Sequence, residues 1–298
     1  MKLEAFAWRW HWREAKYLKK SFARTRKGRV KHICAKFGEH ELADITWPQV
    51  RDWIRSLDIG PTSVPELLSA FRCLLAAAEE DGVIETNPLV GKTLRMRRDP
   101  EEKEAPEPFN AEEREALLWH CDGPIRNLLQ TMMWTGMRPS EARALQWENV
   151  DFQKGEIRIV GVLTDGAKDI EAPKTRASRR KIKMLGPARS ALLDQTQFTD
   201  GRKFVFINPR TDERWTIDSQ FHDIMRDVCA KAGIPYRHPY MLRHTYASLM
   251  LTAGEDIAWI SHQLGHRNPV ITGQIYAKWM PVDNPTAGSK AEQMYASG

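Results

Sequence analysis

The strongest hydrophobic stripe runs from residue 64 to 80, where Val64, Leu67, Leu68, Phe71, Leu74, Leu75 and Ala78 recur at three- and four-residue spacing. That period predicts an amphipathic helix. Upstream, residues 44–50 read as a turn feeding a second helix, with Thr46 as N-cap and Pro48 in the first turn. Residues 1–98 as a whole read as helical, and Asn87-Pro88 closes the region. Residues 99–108 carry Pro100, Pro106 and Pro108 among Glu and Lys, a pattern that excludes helix and inner strand and predicts a linker. Asn110 with Glu113 three residues on opens the next helix, and the domain boundary falls here.

The remainder is mixed. Helical patterning covers 125–134, 140–147, 219–232, 241–253 and 257–264. Residues 156–160 and 181–184 alternate like strands, and 203–207 form a short apolar run. Helices dominate, so the expected fold class is mainly α with a small β-sheet (α+β).

Length and composition narrow this picture. At 298 residues the chain is long enough for about two domains. With 42% hydrophobic and 28% charged residues it is ordered and globular. Its apolar runs, such as Leu74 to Ala78, fall far short of the roughly 20 residues of a membrane helix. The N-terminus is charged and Trp-rich, without the apolar segment of a signal peptide. Four scattered cysteines form neither a disulfide pattern nor a zinc spacing, which fits a reducing, cytoplasmic setting. His262 and His266 stand four apart on a predicted helix, but no Glu lies between them, so no zinc pair is expected.

Charge points to a partner. Residues 1–38 hold 12 basic and 2 acidic side chains, and residues 168–189 hold 8 and 2. Two separated basic blocks suggest a polyanion touching two parts of the protein.

Three segments carry chemistry: Thr135-Gly136-Met137-Arg138-Pro139-Ser140-Glu141; Pro239-Tyr240-Met241-Leu242-Arg243-His244-Thr245-Tyr246; and Leu264-Gly265-His266-Arg267, followed by Ile275-Tyr276-Ala277-Lys278-Trp279. Together and in this order they resemble the tyrosine recombinase (phage integrase) family, over residues 20 to 280. The resemblance implies an N-terminal helical core-binding domain with linker at 1–105, a catalytic domain at 106–285 and a tail at 286–298. The two domains would clamp duplex DNA.

The resemblance also implies an activity: cutting and rejoining DNA strands through a 3′-phosphotyrosyl intermediate. Tyr276 would be the nucleophile. Arg138 and Arg243 would grip the non-bridging phosphate oxygens with forked, permanently charged donors. Lys174, between the two alternating strand segments, would protonate the leaving 5′-oxygen, and His266 would bond the phosphate or help manage the tyrosine proton. The bond energy is conserved in the phosphotyrosine, so neither ATP nor metal is needed; the sequence shows no Walker motif and no carboxylate cluster for two metals. No cofactor is expected. The expected partners are double-stranded DNA at attachment sites and a homo-tetramer on DNA, with a host DNA-bending protein and a directionality factor as accessories, and no membrane. Trp8, Trp10 and Trp12 alternate and form no single helical stripe, so residues 1–20 are expected to be an irregular or short helical lead-in.

One position departs from the pattern. The family usually has His three residues before the second Arg, and Tyr240 stands there. With an unperturbed pKa near 10, a Tyr donates a hydrogen bond but is a poor proton acceptor. Tyr240 is therefore a candidate phosphate donor, with simple packing beneath Arg243 as the alternative. Glu141 reads as a cap or orienter and Tyr246 as a packing aromatic. Two rival readings remain: a catalytically silent DNA-binding accessory protein on the same fold, and a type IB topoisomerase-like enzyme.

Overall fold

The computed structural model describes residues 1–60, 63–94, 106–167, 169–173, 176–280 and 288–296. The chain divides into two compact units, Met1–Lys103 and Glu104–Gly298. Helices predominate, with two small antiparallel sheets, in agreement with the α+β expectation.

The first unit contains α1 (Leu3–Ala15), α2 (Lys20–Phe37), α3 (Trp47–Ser56) and α4 (Ser63–Glu80). The predicted stripe of α4 is its buried face: Val64, Phe71, Leu74, Leu75 and Ala78 are fully enclosed. They pack with Val30 and Ile33 of α2 and with Val50 and Ile54 of α3 in one core. Thr46 starts α3 as expected, its backbone N–H donating to Gln49 Oε1 at 2.8 Å.

The N-terminal segment is more regular than its sequence suggests. Residues 3–15 form a full helix, and Leu3, Phe6, Ala7 and Trp10 are part of the core. The alternation of tryptophans misleads because Trp8 and Trp12 are four residues apart and share a face. Their rings stack at 6.5 Å, while Trp10 points the other way, under the Arg26 guanidinium at 4.5 Å.

The second unit begins with α5 (Ala111–Trp119), capped reciprocally by Asn110 and Glu113 at 2.9 and 3.0 Å. Next come α6 (Gly123–Thr135) and the short α7 (Pro139–Ala144). A three-stranded sheet follows, in the order β1 (Val150–Asp151), β2 (Glu156–Ile159), β3 (Arg180–Lys183). Its register sets Ile157 opposite Ile182, so the alternating residues seen in the sequence put one face into the core. α8 (Gly186–Thr199), β4 (Ile207–Asn208), β5 (Glu213–Arg214) and α9 (Asp218–Lys231) surround this core. α10 (Met241–Thr252) joins it through Met241 and Leu242, and beyond them packs with α11 (Ile257–Leu264) and α12 (Pro269–Tyr276) in a second cluster that encloses Tyr276; α13 (Ser289–Ala296) follows.

Two sequence expectations need correction here. Residues 203–207 are not one strand: Phe204 makes a single antiparallel bridge with Gln146, while Ile207 and Asn208 pair separately with Arg214 and Glu213. Val205 and Phe206 are buried, and the Val205 N–H donates to Leu145 O at 3.0 Å as part of that single bridge, which does not extend into a longer ladder. A short apolar run marks burial, not conformation. The helix expected over 140–147 ends at Ala144, and a separate 3₁₀ turn covers Trp147–Asn149.

Candidate active site

The site begins where α6 stops. Gly136 turns left-handed with φ 64°, and a Cβ there would lie 2.5 Å from Tyr246 Cδ1. Only glycine makes this turn and admits that ring. The turn delivers Arg138 to the N-cap of α7, ahead of Pro139.

Arg138 is held from three directions. Its backbone N–H donates to Glu141 Oε2 at 2.8 Å, its Nη1 to Glu141 Oε1 at 2.6 Å, and its Nη2 to Gly265 O at 3.3 Å. Glu141 in turn receives a forked pair from Arg180, Nη1 to Oε1 and Nη2 to Oε2, each at 2.9 Å. Burial alone would raise the Glu141 pKa, but the Arg180 hydrogen bonds and the charges of Arg180, Arg138 and Arg243 outweigh it and hold the carboxyl at about 2. Glu141 is thus a permanently charged orienter, and Arg180 is its buried partner. Arg180 had been read only as part of a basic block.

Arg243, on α10, is fully buried. Its Nη1 donates to Gly136 O at 2.9 Å, while its Nε and Nη2 have no partner among the described residues. Burial, joined by the like charges of Arg138 and Arg180, lowers its pKa to about 10, so it remains cationic at neutral pH. Two enclosed N–H donors of a guanidinium, held unpaired, suit an incoming anion.

Tyr240 is the N-cap of α10, with its ring 5.7 Å from the Arg243 guanidinium and edge-on to His244 at 5.2 Å. Burial opposes charge on Arg138, but Glu141 and Tyr240 overcome this and raise its pKa. Tyr240 therefore packs against Arg243 and stands near enough to Arg138 to favour its charged form.

His266 follows Gly265, the left-handed residue that ends α11 at φ 67°. It lies beyond the helix, so His262 and His266 do not share a helical face. Its Nδ1 pairs with Thr272 Oγ1 at 2.7 Å. Burial and the charges of Arg243, Arg138 and Arg180 lower its pKa to about 3, which leaves the imidazole neutral. A cleft of about 450 Å³ lies beside it, lined by Arg138, Ser140, Ser178, Gly265 and Arg267 among others.

Tyr276 ends α12 and is 1% exposed. Its hydroxyl lies 2.6 Å from His244 Nδ1. Burial raises its pKa despite the opposing charge of Arg243. His244 is the neighbour that the sequence reading passed over. Burial, then Arg243 and His238, lower its pKa to about 4. A histidine directly after Arg243 was visible in the motif, but its contact with a residue 32 positions away was not.

Five of the six residues expected from the sequence, Arg138, Tyr240, Arg243, His266 and Tyr276, thus lie in one connected cluster. The sixth, Lys174, lies outside the described residues. Among the described residues no helix is long and apolar enough to cross a membrane.

The fold matches solved tyrosine-type integrases. The Tn1549 transposon integrase, in complex with a circular intermediate DNA, superposes with a TM-score of 0.77 at 16% identity, covering 99% of each chain. A lambda integrase dimer bound to a COC′ core site gives 0.70 at 17% identity, covering 92% of this chain and 95% of that one. The chain belongs to the phage integrase family, whose model matches residues 108–281. The prophage integrase IntR of Escherichia coli (strain K12) is 31% identical over 242 residues, 73% of this chain and 57% of that protein. The tyrosine recombinase XerC of Oceanobacillus iheyensis is 26% identical over 80% of this chain and 78% of its own length. The chain therefore spans little more than half the length of the prophage relative.

Proposed function

We propose that the protein is a site-specific DNA recombinase that integrates or excises a phage or genomic island. Tyr276 attacks a backbone phosphorus and forms a 3′-phosphotyrosyl bond. Arg138 and Arg243 neutralise the two non-bridging oxygens, which carry the charge in the transition state. Tyr240 donates a further hydrogen bond, and neutral His266 adds an imidazole contact. Lys174 protonates the departing 5′-oxygen, which later reverses the reaction. The arginines supply the charge, so the step calls for neither metal nor nucleotide.

The observation that carries this reading is Arg243. A buried guanidinium with two unpartnered donors stands beside a buried tyrosine, and Arg138 is pinned nearby. Arg237 also keeps two buried nitrogens without hydrogen bonds, but Glu113 and Glu107 stand beside it, whereas no carboxylate forms an ion pair with Arg243 among the described residues. The same feature favours an active enzyme over a silent DNA-binding protein.

The first unit serves as the core-binding domain, and its basic residues meet phosphates, so affinity falls with added salt. The working form is a homo-tetramer on two duplexes, in the cytoplasm. A host DNA-bending protein and a directionality factor assist it.

Nicked duplexes tiled across the DNA flanking the gene test the activity. The full chain should yield a denaturant-stable protein–DNA adduct on one of them, and Tyr276→Phe should bind that duplex without forming it. An adduct of undiminished yield in the Phe variant refutes the assignment.

A further inference from the structure

We propose that His244 is the catalytic residue that accepts the Tyr276 proton during strand cleavage, an inference that rests on the recombinase reading above. A phenol attacking phosphorus must lose its proton, and burial makes that loss harder for Tyr276. An acceptor must therefore stand within hydrogen-bond reach. His244 Nδ1 is 2.6 Å from the Tyr276 hydroxyl. The other groups around it are unsuited. Tyr240 is a poor acceptor, Trp279 offers only a donor, both Glu141 oxygens are taken by arginines, and among the described residues the Tyr276 hydroxyl makes no hydrogen bond to His266.

The placement on α10 is informative. Arg243 and His244 are consecutive, and their helix is anchored by Leu242, Thr245 and Tyr246, all fully buried. One helical turn thus presents a guanidinium to the phosphate and an imidazole to the nucleophile, with their separation set by backbone geometry. The same arrangement answers the departure at Tyr240. The proton-accepting imidazole sits four residues further along the helix, with the Tyr240 ring edge-on to it at 5.2 Å.

In the step, the Tyr276 O–H bond breaks and its proton moves to Nδ1 of the tautomer that carries hydrogen on Nε2. The Oη–P bond forms, the P–O5′ bond breaks, and the 5′-oxygen takes a proton from Lys174. Religation reverses each transfer. The groups facing His244 are Arg243, Tyr240 and His238 on its own side and Tyr276 from α12, with His266 also close enough to interact. Burial together with Arg243 and His238 keeps His244 neutral and ready to accept. A phosphate seated against Arg243 offsets that cation and strengthens the base when it is needed.

The test is single-turnover adduct formation by the full chain on the cleaved nicked duplex, with gel-shift binding measured alongside. His244→Asn places an amide oxygen near Nδ1, so it keeps the hydrogen bond and removes the basicity. It should bind DNA like wild type and cleave about 10²–10⁴-fold more slowly. His244→Ala should be at least as slow, and circular dichroism checks its fold. A substrate with sulfur in place of the 5′-bridging oxygen separates the base from the acid. A thiol leaves as the anion far more readily, having a pKa of about 8.5. That substrate should rescue Lys174→Ala and leave His244→Asn slow. A His244→Asn rate within threefold of wild type, a rate above wild type, or full rescue by sulfur overturns the proposal. Absence of any adduct from wild type, or its persistence in Tyr276→Phe, instead brings down the recombinase reading itself.

Discussion

Glu141→Gln keeps the volume of the side chain and removes one charge from the centre of the site. The carboxylate is fully buried, and Arg180, its forked partner, is 1% exposed. Two 2.9 Å hydrogen bonds to Arg180, one of 2.6 Å to the Arg138 side chain and one of 2.8 Å to the Arg138 backbone converge on it. The pKa held at about 2, against an ordinary 4.5, corresponds to roughly 3 kcal/mol at about 1.36 kcal/mol per pH unit. Removing one partner of a buried pair costs about 3–5 kcal/mol, because the other charge is stranded. The two routes agree, and Glu141→Gln should destabilise the second unit by roughly 3–5 kcal/mol at pH 7. The pH dependence has a definite sign. A carboxyl whose folded pKa is depressed contributes fully above its unfolded value and loses that contribution as pH falls. The wild-type advantage should therefore shrink from about pH 4.5 and be gone near pH 2. Urea titration read by hydrogen–deuterium exchange of peptides spanning 139–145 and 180–183 isolates this unit from the first. A loss below about 1 kcal/mol at pH 7, or a difference that stays constant across the acid window, refutes the argument.

Three further outcomes are expected. Tyr240→Phe should slow cleavage by up to about 10²–10³-fold with DNA binding retained, as for loss of one preorganised donor at a developing charge; single-turnover rates within twofold of wild type would reduce Tyr240 to packing. Cleavage should proceed undiminished in excess EDTA, because the arginines supply the neutralising charge, and a loss restored by magnesium contradicts the mechanism. Gly136→Ala should cost about 2 kcal/mol or more, since it combines a left-handed backbone with a Cβ 2.5 Å from Tyr246, and a urea midpoint equal to wild type would show that the turn can relax.

Local signals carried most of the fold. The α4 stripe, the caps at Thr46 and Asn110 and the alternation of β2 and β3 each depend on near neighbours, and each is read correctly from spacing. The errors share a cause. Trp10 turns into the core, Trp8 packs at its edge and Trp12 is exposed, and no alternation rule separates these cases without knowing where the core lies. Val205 and Phe206 are buried by neighbours distant in sequence and Phe204 makes only a single bridge, so the hydrophobicity of this run reports enclosure more than pairing. The candidate site divides in the same way. Arg138, Tyr240, Arg243, His266 and Tyr276 were legible because motifs preserve residue type and order. Arg180 and His244 were not, because their roles exist only through contacts with Glu141 and Tyr276, 39 and 32 residues away. A charge count sees Arg180 as surface when it is the most enclosed cation among the described side chains of its block.

The concealment of Tyr276 and Arg243 has a consequence for life inside a cell. On the recombinase reading proposed above, the chain travels among a vast excess of phosphodiesters, in RNA and in irrelevant chromosome, each a wrong target. Here the attacking phenol is 1% exposed and the arginine beside it is 0% exposed. In this arrangement neither group meets a passing polymer. On that reading, the packing around both groups must open before either reaches a phosphate, and a duplex that binds weakly does not supply the energy to open it. Selectivity for the correct site is then enforced twice, once by binding and again by the work of opening, so weak encounters end without a cut.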